Sequence, residues 1–166
     1  MGLNIIRRDS VKELRMAGAG ITPPKDWGDV GQVRAAKRQE AGAACSAAIY
    51  AGVSVGDSHY SLTEHDQTEI MAQYTLVKEG AAAVPYHADG QLCRMYPAEE
   101  FAALAQAATA HVFYHRTYCN HLNAWIARAG LEELAGIAYG AELPGDLAQS
   151  MAAILAAAGG AENGNP

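Results

Sequence analysis

A helix-dominated α+β fold follows from three features of this 166-residue sequence. Several long stretches repeat apolar residues at three- and four-residue spacing. Two short stretches alternate apolar residues around Gly-Asp or Asp-Gly turns, and these lie between the helical stretches. The expected order is helix, hairpin, helix, hairpin, long helix and C-terminal helices, preceded by an extended N-terminal arm.

Asp9 or Ser10 caps a short helix over Ser10–Ala17. The segment GAGITPPKDWGD, residues 18–29, is too rich in Gly and Pro to stay helical. Its Pro23-Pro24 pair favours polyproline geometry and presents Ile21 and Trp27 to whatever lies alongside. A helix over Val30–Ala51 follows, with Val33, Ala41, Ala44, Cys45, Ala48 and Ile49 as its apolar stripe and Gly52 as its stop. Val53/Val55 and Tyr60/Leu62 alternate around Gly56-Asp57-Ser58, a hairpin signal.

Thr63 and Asp66 have the spacing of a capping box and open a helix over Glu64–Glu79, closed by Gly80. Ile70, Met71, Tyr74 and Val77 form its apolar face. Asp89-Gly90 marks a second hairpin, in which Pro85 confines its strand to an edge or a bulge. The two hairpins can join into one small sheet. From Pro97 to Ala129 the helical spacing runs unbroken through Phe101, Leu104, Ala108, Val112, His115, Cys119, Leu122 and Ile126. Such a helix is about 48 Å long. A short helix over Leu131–Tyr139, a Gly/Pro joint over Gly140–Gly145 and a helix over Asp146–Ala158 complete the chain. The expected division is an arm over 1–29, a globular helix-hairpin domain over 30–139, a C-terminal helix over 140–158 and a disordered tail over 159–166.

Charge is distributed unevenly. Residues 1–38 hold eight bases and four acids, whereas the remaining 128 residues hold four bases and fourteen acids. The acidic body argues against nucleic acid as a partner, because neutralising phosphates takes clustered Lys and Arg. No run of about twenty apolar residues is present, so no membrane span is expected. The opening MGLNIIRRDS lacks the apolar centre of a secretory signal peptide. The three cysteines, Cys45, Cys93 and Cys119, are widely spaced without a CxxC pair and read as buried thiols.

The chemistry-bearing residues gather at one place, the long helix, as His111, His115 and Cys119. Their i,i+4 spacing puts three metal-ligand types on one face. Three groups stacked on a straight helix cannot surround a metal without a fourth from elsewhere. The same positions also continue the apolar stripe, which is the plainer reading. HVFYH lacks the glutamate of HExxH, and neither GxSxG nor a Walker loop occurs. Glu99/Glu100 and Glu132/Glu133 open helices, where the dipole favours acids. No catalytic residue and no cofactor is therefore expected.

From Lys37 to Ile126 the chain resembles a domain of uncharacterised phage and prophage tail-region proteins. The matching residues are Ala47-Ala48-Ile49-Tyr50-Ala51-Gly52, His59-Tyr60-Ser61-Leu62-Thr63, Asp66-Gln67, and Val84-Pro85-Tyr86-His87-Ala88-Asp89-Gly90. The helix from Glu99-Glu100-Phe101 through His111 and His115 completes the match. The resemblance implies a non-enzymatic virion or tail-assembly component, made in a host cytoplasm, with other virion proteins or copies of itself as partners in a homo-oligomeric assembly. The expected contact surface is the arm, through Ile21, Pro23, Pro24 and Trp27, with Arg34, Lys37 and Arg38 beside it. Its positive charge would steer it to an acidic neighbour. Two other readings stand beside this one. One is a metal-binding module or metal-dependent enzyme built on His111, His115 and Cys119. The other is a phage-encoded cytoplasmic assembly chaperone.

Overall fold

In the computed structural model of the chain, residue 16 and residues 18–161 are described. The helix expected over residues 10–17 lies outside them except for Met16, as does the tail beyond residue 161. The elements are α1 (Val30–Tyr50), β1 (Val53–Val55), β2 (Ser58–Tyr60), α2 (Glu64–Lys78), β3 (Ala83–Tyr86), β4 (Arg94–Pro97), α3 (Ala98–Arg128), α4 (Leu131–Leu134) and α5 (Gly145–Ala161). This is the expected helix-dominated α+β order.

Compactness groups the chain into two units, Met1–Ala44 with Tyr118–Pro166, and Cys45–Thr117. That grouping follows tertiary contact, not the linear division drawn from composition at residues 29, 139 and 158.

In the Cys45–Thr117 unit the two hairpins form separate two-stranded sheets, β1 with β2 and β3 with β4, instead of joining. Val55 pairs with Ser58, which leaves Gly56-Asp57 as a two-residue turn. Gly56 has φ +60°, as the first central position of a type II′ turn requires. In the second hairpin Val84 pairs with Tyr96, and Pro85 is tolerated because β3 has a partner on only one side. An isolated hairpin is marginal in water, so each sheet depends on packing. That packing comes from Tyr60, Leu62, Val84, Tyr86, Tyr96, Phe101 and Leu104, which are all buried in one cluster with Ile70 of α2.

Helix α2 begins at the predicted capping box. Thr63 N donates to Asp66 Oδ2 at 2.9 Å, and Asp66 N donates to Thr63 Oγ1 at 3.4 Å. At its other end Ala81 N donates to Leu76 O and Gly80 N to Val77 O, the bond pair of a Schellman stop.

In the other unit, α1 starts at Asp29, whose Oδ1 accepts from Gly31 N at 2.8 Å and Gln32 N at 3.2 Å. Helix α4 ends at Leu134, five residues before the expected stop. Gly130 supplies no side-chain cap and Gly136 disfavours continuation, so the chain goes on in turns. Helix α5 runs three residues past the expected Ala158, through Gly159, Gly160 and Ala161. Arg128 and Asp146 form a bidentate pair at 2.5 and 2.6 Å that ties the end of α3 to the start of α5 and pulls the Asp146 carboxyl down to about 2.

Gly52, the predicted stop of α1, has φ +78°, and a Cβ there would lie 2.0 Å from Tyr60 O. Both strain and clash oppose any side chain. Gly52→Ala is therefore expected to destabilise the chain by roughly 2 kcal/mol or more. A thermal unfolding midpoint equal to that of the parent would contradict this.

Candidate functional site: a clasped hairpin pair and an apolar groove

Two segments that carry the sequence resemblance, HYSLT and VPYHADG, meet in the structure through one carboxylate. Asp89 Oδ2 accepts from His59 Nδ1 at 2.8 Å, from Ser61 Oγ at 2.6 Å and from Ser61 N at 3.0 Å. Asp89 N returns a bond to His59 O at 2.9 Å. Burial pushes the Asp89 carboxyl upward, but the Ser61 hydroxyl and amide and the His59 imidazole outweigh it and hold it below the ordinary carboxylate range. The seryl hydroxyl donates to the carboxylate, not to the imidazole, so the three residues form a clasp between hairpins. Chemically it orients backbone.

Behind the clasp lies an aromatic cluster. Tyr86 meets Phe101 edge-on at 5.5 Å and stacks on Tyr60 at 6.3 Å, while Tyr60 and Tyr96 share a hydroxyl–hydroxyl bond of 3.2 Å. Burial, with the Tyr96 bond adding to it, pushes the Tyr60 phenol up to about 12, and burial raises Tyr86 as well. The Arg94 guanidinium stacks 3.6 Å from the Tyr96 ring centroid and pairs with Glu100.

The same unit carries an open apolar groove of about 260 Å³. Ile70 and Met71 of α2 wall one side, and Ala108, Val112 and Phe113 of α3 wall the other. Gln67 and Arg116 also line it, Arg116 Nη2 donating to Gln67 Oε1 at 3.4 Å. Met71 is 51% exposed and Phe113 is also exposed, so this apolar lining faces water. The sequence places Met71 on an apolar face of α2, but nothing in its periodicity shows that this part of the face stays uncovered.

The arm residues lie elsewhere. Ile21 and Pro24 are buried, Pro23 and Trp27 are half-buried, and Ile21 clusters with Met16 and Ala36 while Trp27 packs against them. Two glutamines of α1 fasten the arm's backbone: Thr22 N donates to Gln39 Oε1 at 2.8 Å and Lys25 N to Gln32 Oε1 at 2.9 Å. This part of the arm thus docks on its own chain. Arg34 and Lys37 are also engaged at home. Arg34 Nη2 donates to Ala129 O and Lys37 Nζ to Ile137 O, each at 2.8 Å, which satisfies carbonyls at and beyond the end of α3. Lys37 also pairs with Glu40 at 3.0 Å, and Arg38 is exposed.

His111, His115 and Cys119 do not gather as a ligand set. His111 Nε2 donates to Ala48 O at 3.0 Å, and its ring meets that of His115 edge-on at 4.4 Å. Burial, with the nearby His111 adding to it, lowers the His115 pKa. Cys45 and Cys119 are disulfide cysteines instead of the expected thiols, so Cys119 offers no thiolate; Cys93 is free but exposed rather than buried. Among the described residues, no three His, Cys, Asp or Glu side chains are placed to hold a metal ion. None of the described helices is long and apolar enough to cross a membrane.

A family model described as "Domain of unknown function (DUF4376)" matches residues 32–148, which include the clasp, the groove and the whole segment that carries the sequence resemblance. That description has no link to phage tails. No curated protein and no solved structure matches the chain.

Asp89→Asn retains the shape of the clasp but removes its charge. Asp89 is partly exposed, with a side chain 41% accessible, so the expected cost at pH 7 is only about 1 kcal/mol. Because the folded pKa is lowered, this stabilisation is present above about pH 4 and is lost as pH falls through the folded value. Unfolding curves of parent and variant should differ at pH 7 and converge in acid; a gap that widens in acid would refute the assignment. Lys37→Met keeps the buried stem but strands Ile137 O, at an expected cost of about 1–3 kcal/mol. Denaturant titration reads this loss directly, and an unshifted midpoint would show that the carbonyl does not depend on Lys37.

Proposed function

We propose that this chain, which belongs to the family described as Domain of unknown function (DUF4376), is a non-enzymatic structural component of a phage virion or phage-like tail and works by protein–protein contact. The single observation that carries the contact role is the open groove between α2 and α3, an apolar surface of side-chain size facing water. The likeness of residues 37–126 to phage and prophage tail-region proteins supports the setting. Ile21, Pro24, Arg34 and Lys37 are engaged within their own unit, so assembly in this reading relies on the groove more than on the described part of the arm.

The clasp fits the same role. It spends His59, Ser61 and Asp89 on holding two hairpins in a fixed arrangement, which suits a surface that must be rigid before it meets its partner. Mass spectrometry of purified particles from a host carrying the chain tests the reading. The polypeptide is expected in the particles in amounts comparable to other structural proteins. Its absence from particles, with the protein present in the host lysate, would overturn the virion assignment.

A further inference from the structure

We propose that the groove of one copy receives the Leu92 hairpin tip of a second copy. This deepens the contact role proposed above by naming the partner. Leu92 lies in the seven-residue loop between β3 and β4 and is 92% exposed, so it does not occupy the groove of its own copy. The loop is held from below. Asp89 is clasped to His59 and Ser61, and Gln91 N donates to Ala88 O at 3.0 Å. A leucine on a loop already fixed in place loses little freedom when it docks, which is the property of a contact anchor.

The groove suits that anchor in size and charge. Its volume of about 260 Å³ exceeds the roughly 150 Å³ that accommodates a benzene-sized group, so one aliphatic side chain fits with space beside it. Arg116 lines the groove, whereas the Leu92 loop carries Asp89 and its Gln91 meets Ser58, next to Asp57, at 3.5 Å; the nearest base, Arg94, is already paired with Glu100. The unit as a whole has eight carboxylates and three bases, so most face-to-face pairings of two copies would bring like charges together. Tip against groove places acid beside base instead. Tip and groove are different patches, so the contact is either exchanged reciprocally across a two-fold axis, closing at a dimer, or repeated head-to-tail into a ring or a filament.

Sedimentation velocity of the full chain over a concentration series tests this. Dimers or larger species are expected to grow with concentration. Leu92→Asp, at an exposed position that the fold does not use, should weaken association by about tenfold or more. Met71→Glu should do the same from the groove side, and Thr109→Arg, at another residue lining the groove, serves if Met71→Glu alters the circular dichroism spectrum. An equimolar mixture of Leu92→Asp and Met71→Glu retains one intact groove and one intact tip, so it should stop at a one-to-one dimer. A parent chain that stays monomeric overturns the proposal, as does a mixture that grows past the dimer. Unchanged assembly of Leu92→Asp alongside lost assembly of Met71→Glu would give the groove to another segment and also overturn it. If the chain is present in particles but the purified protein is monomeric, only the tip-in-groove contact falls. If the chain assembles through tip and groove but is absent from particles, only the virion reading falls.

Discussion

The Asp89 carboxylate accepts an imidazole N–H, a hydroxyl and a backbone amide from a strand and loop some thirty residues earlier in the chain, and that convergence joins the two hairpins of the Cys45–Thr117 unit. Each hairpin alone is a two-stranded ribbon with strands of three or four residues, too small to hold itself together in water. The carboxylate fixes the second turn to the end of the first hairpin. With the turn so placed, Tyr60, Tyr86 and Tyr96 converge over Phe101 in one aromatic cluster. Apolar burial supplies most of the energy, at about 1.5–3 kcal/mol for each large side chain, while the clasp selects the arrangement in which that burial occurs.

How much of this could be read from sequence varies from element to element. The long helix, the Thr63–Asp66 box, the Gly52 and Gly80 stops and the turn at Gly56 were all legible, because each depends on residues within a turn or two of one another. The two-sheet arrangement was not. Whether hairpins share an edge depends on the faces they bury, and alternation in three-residue strands cannot specify that. Asp89 reads as a turn residue, and its role as a tether comes from partners 28 and 30 positions away.

The basic residues give the clearest case of local reading overtaken by tertiary structure. Arg34 and Lys37 stand on a helix beside a basic arm, and charge patterning alone makes them a surface for a partner. Their acceptors are carbonyls 95 and 100 residues away, at the end of another helix and in the turns beyond it. Helix termini leave carbonyls unpaired, and a long cation is a ready donor to them. In the same way the backbone amides on either side of the Pro-Pro pair are taken by Gln39 and Gln32, polar residues on α1. The groove was hidden for a related reason: Met71 and Val112 lie on apolar stripes, and a stripe does not reveal which of its residues lack a neighbour.

The buried phenols have an optical consequence. Tyrosinate absorbs at longer wavelength than tyrosine, and an exposed phenol ionises near pH 10. Tyr60 keeps its proton up to about 12 and Tyr86 is raised as well, because ionising either ring would place a charge inside the aromatic cluster. In mild alkali Tyr60 and Tyr86 therefore stay optically silent for as long as the hairpins stay clasped. The unit carries a built-in chromophore for its own integrity, readable without any label.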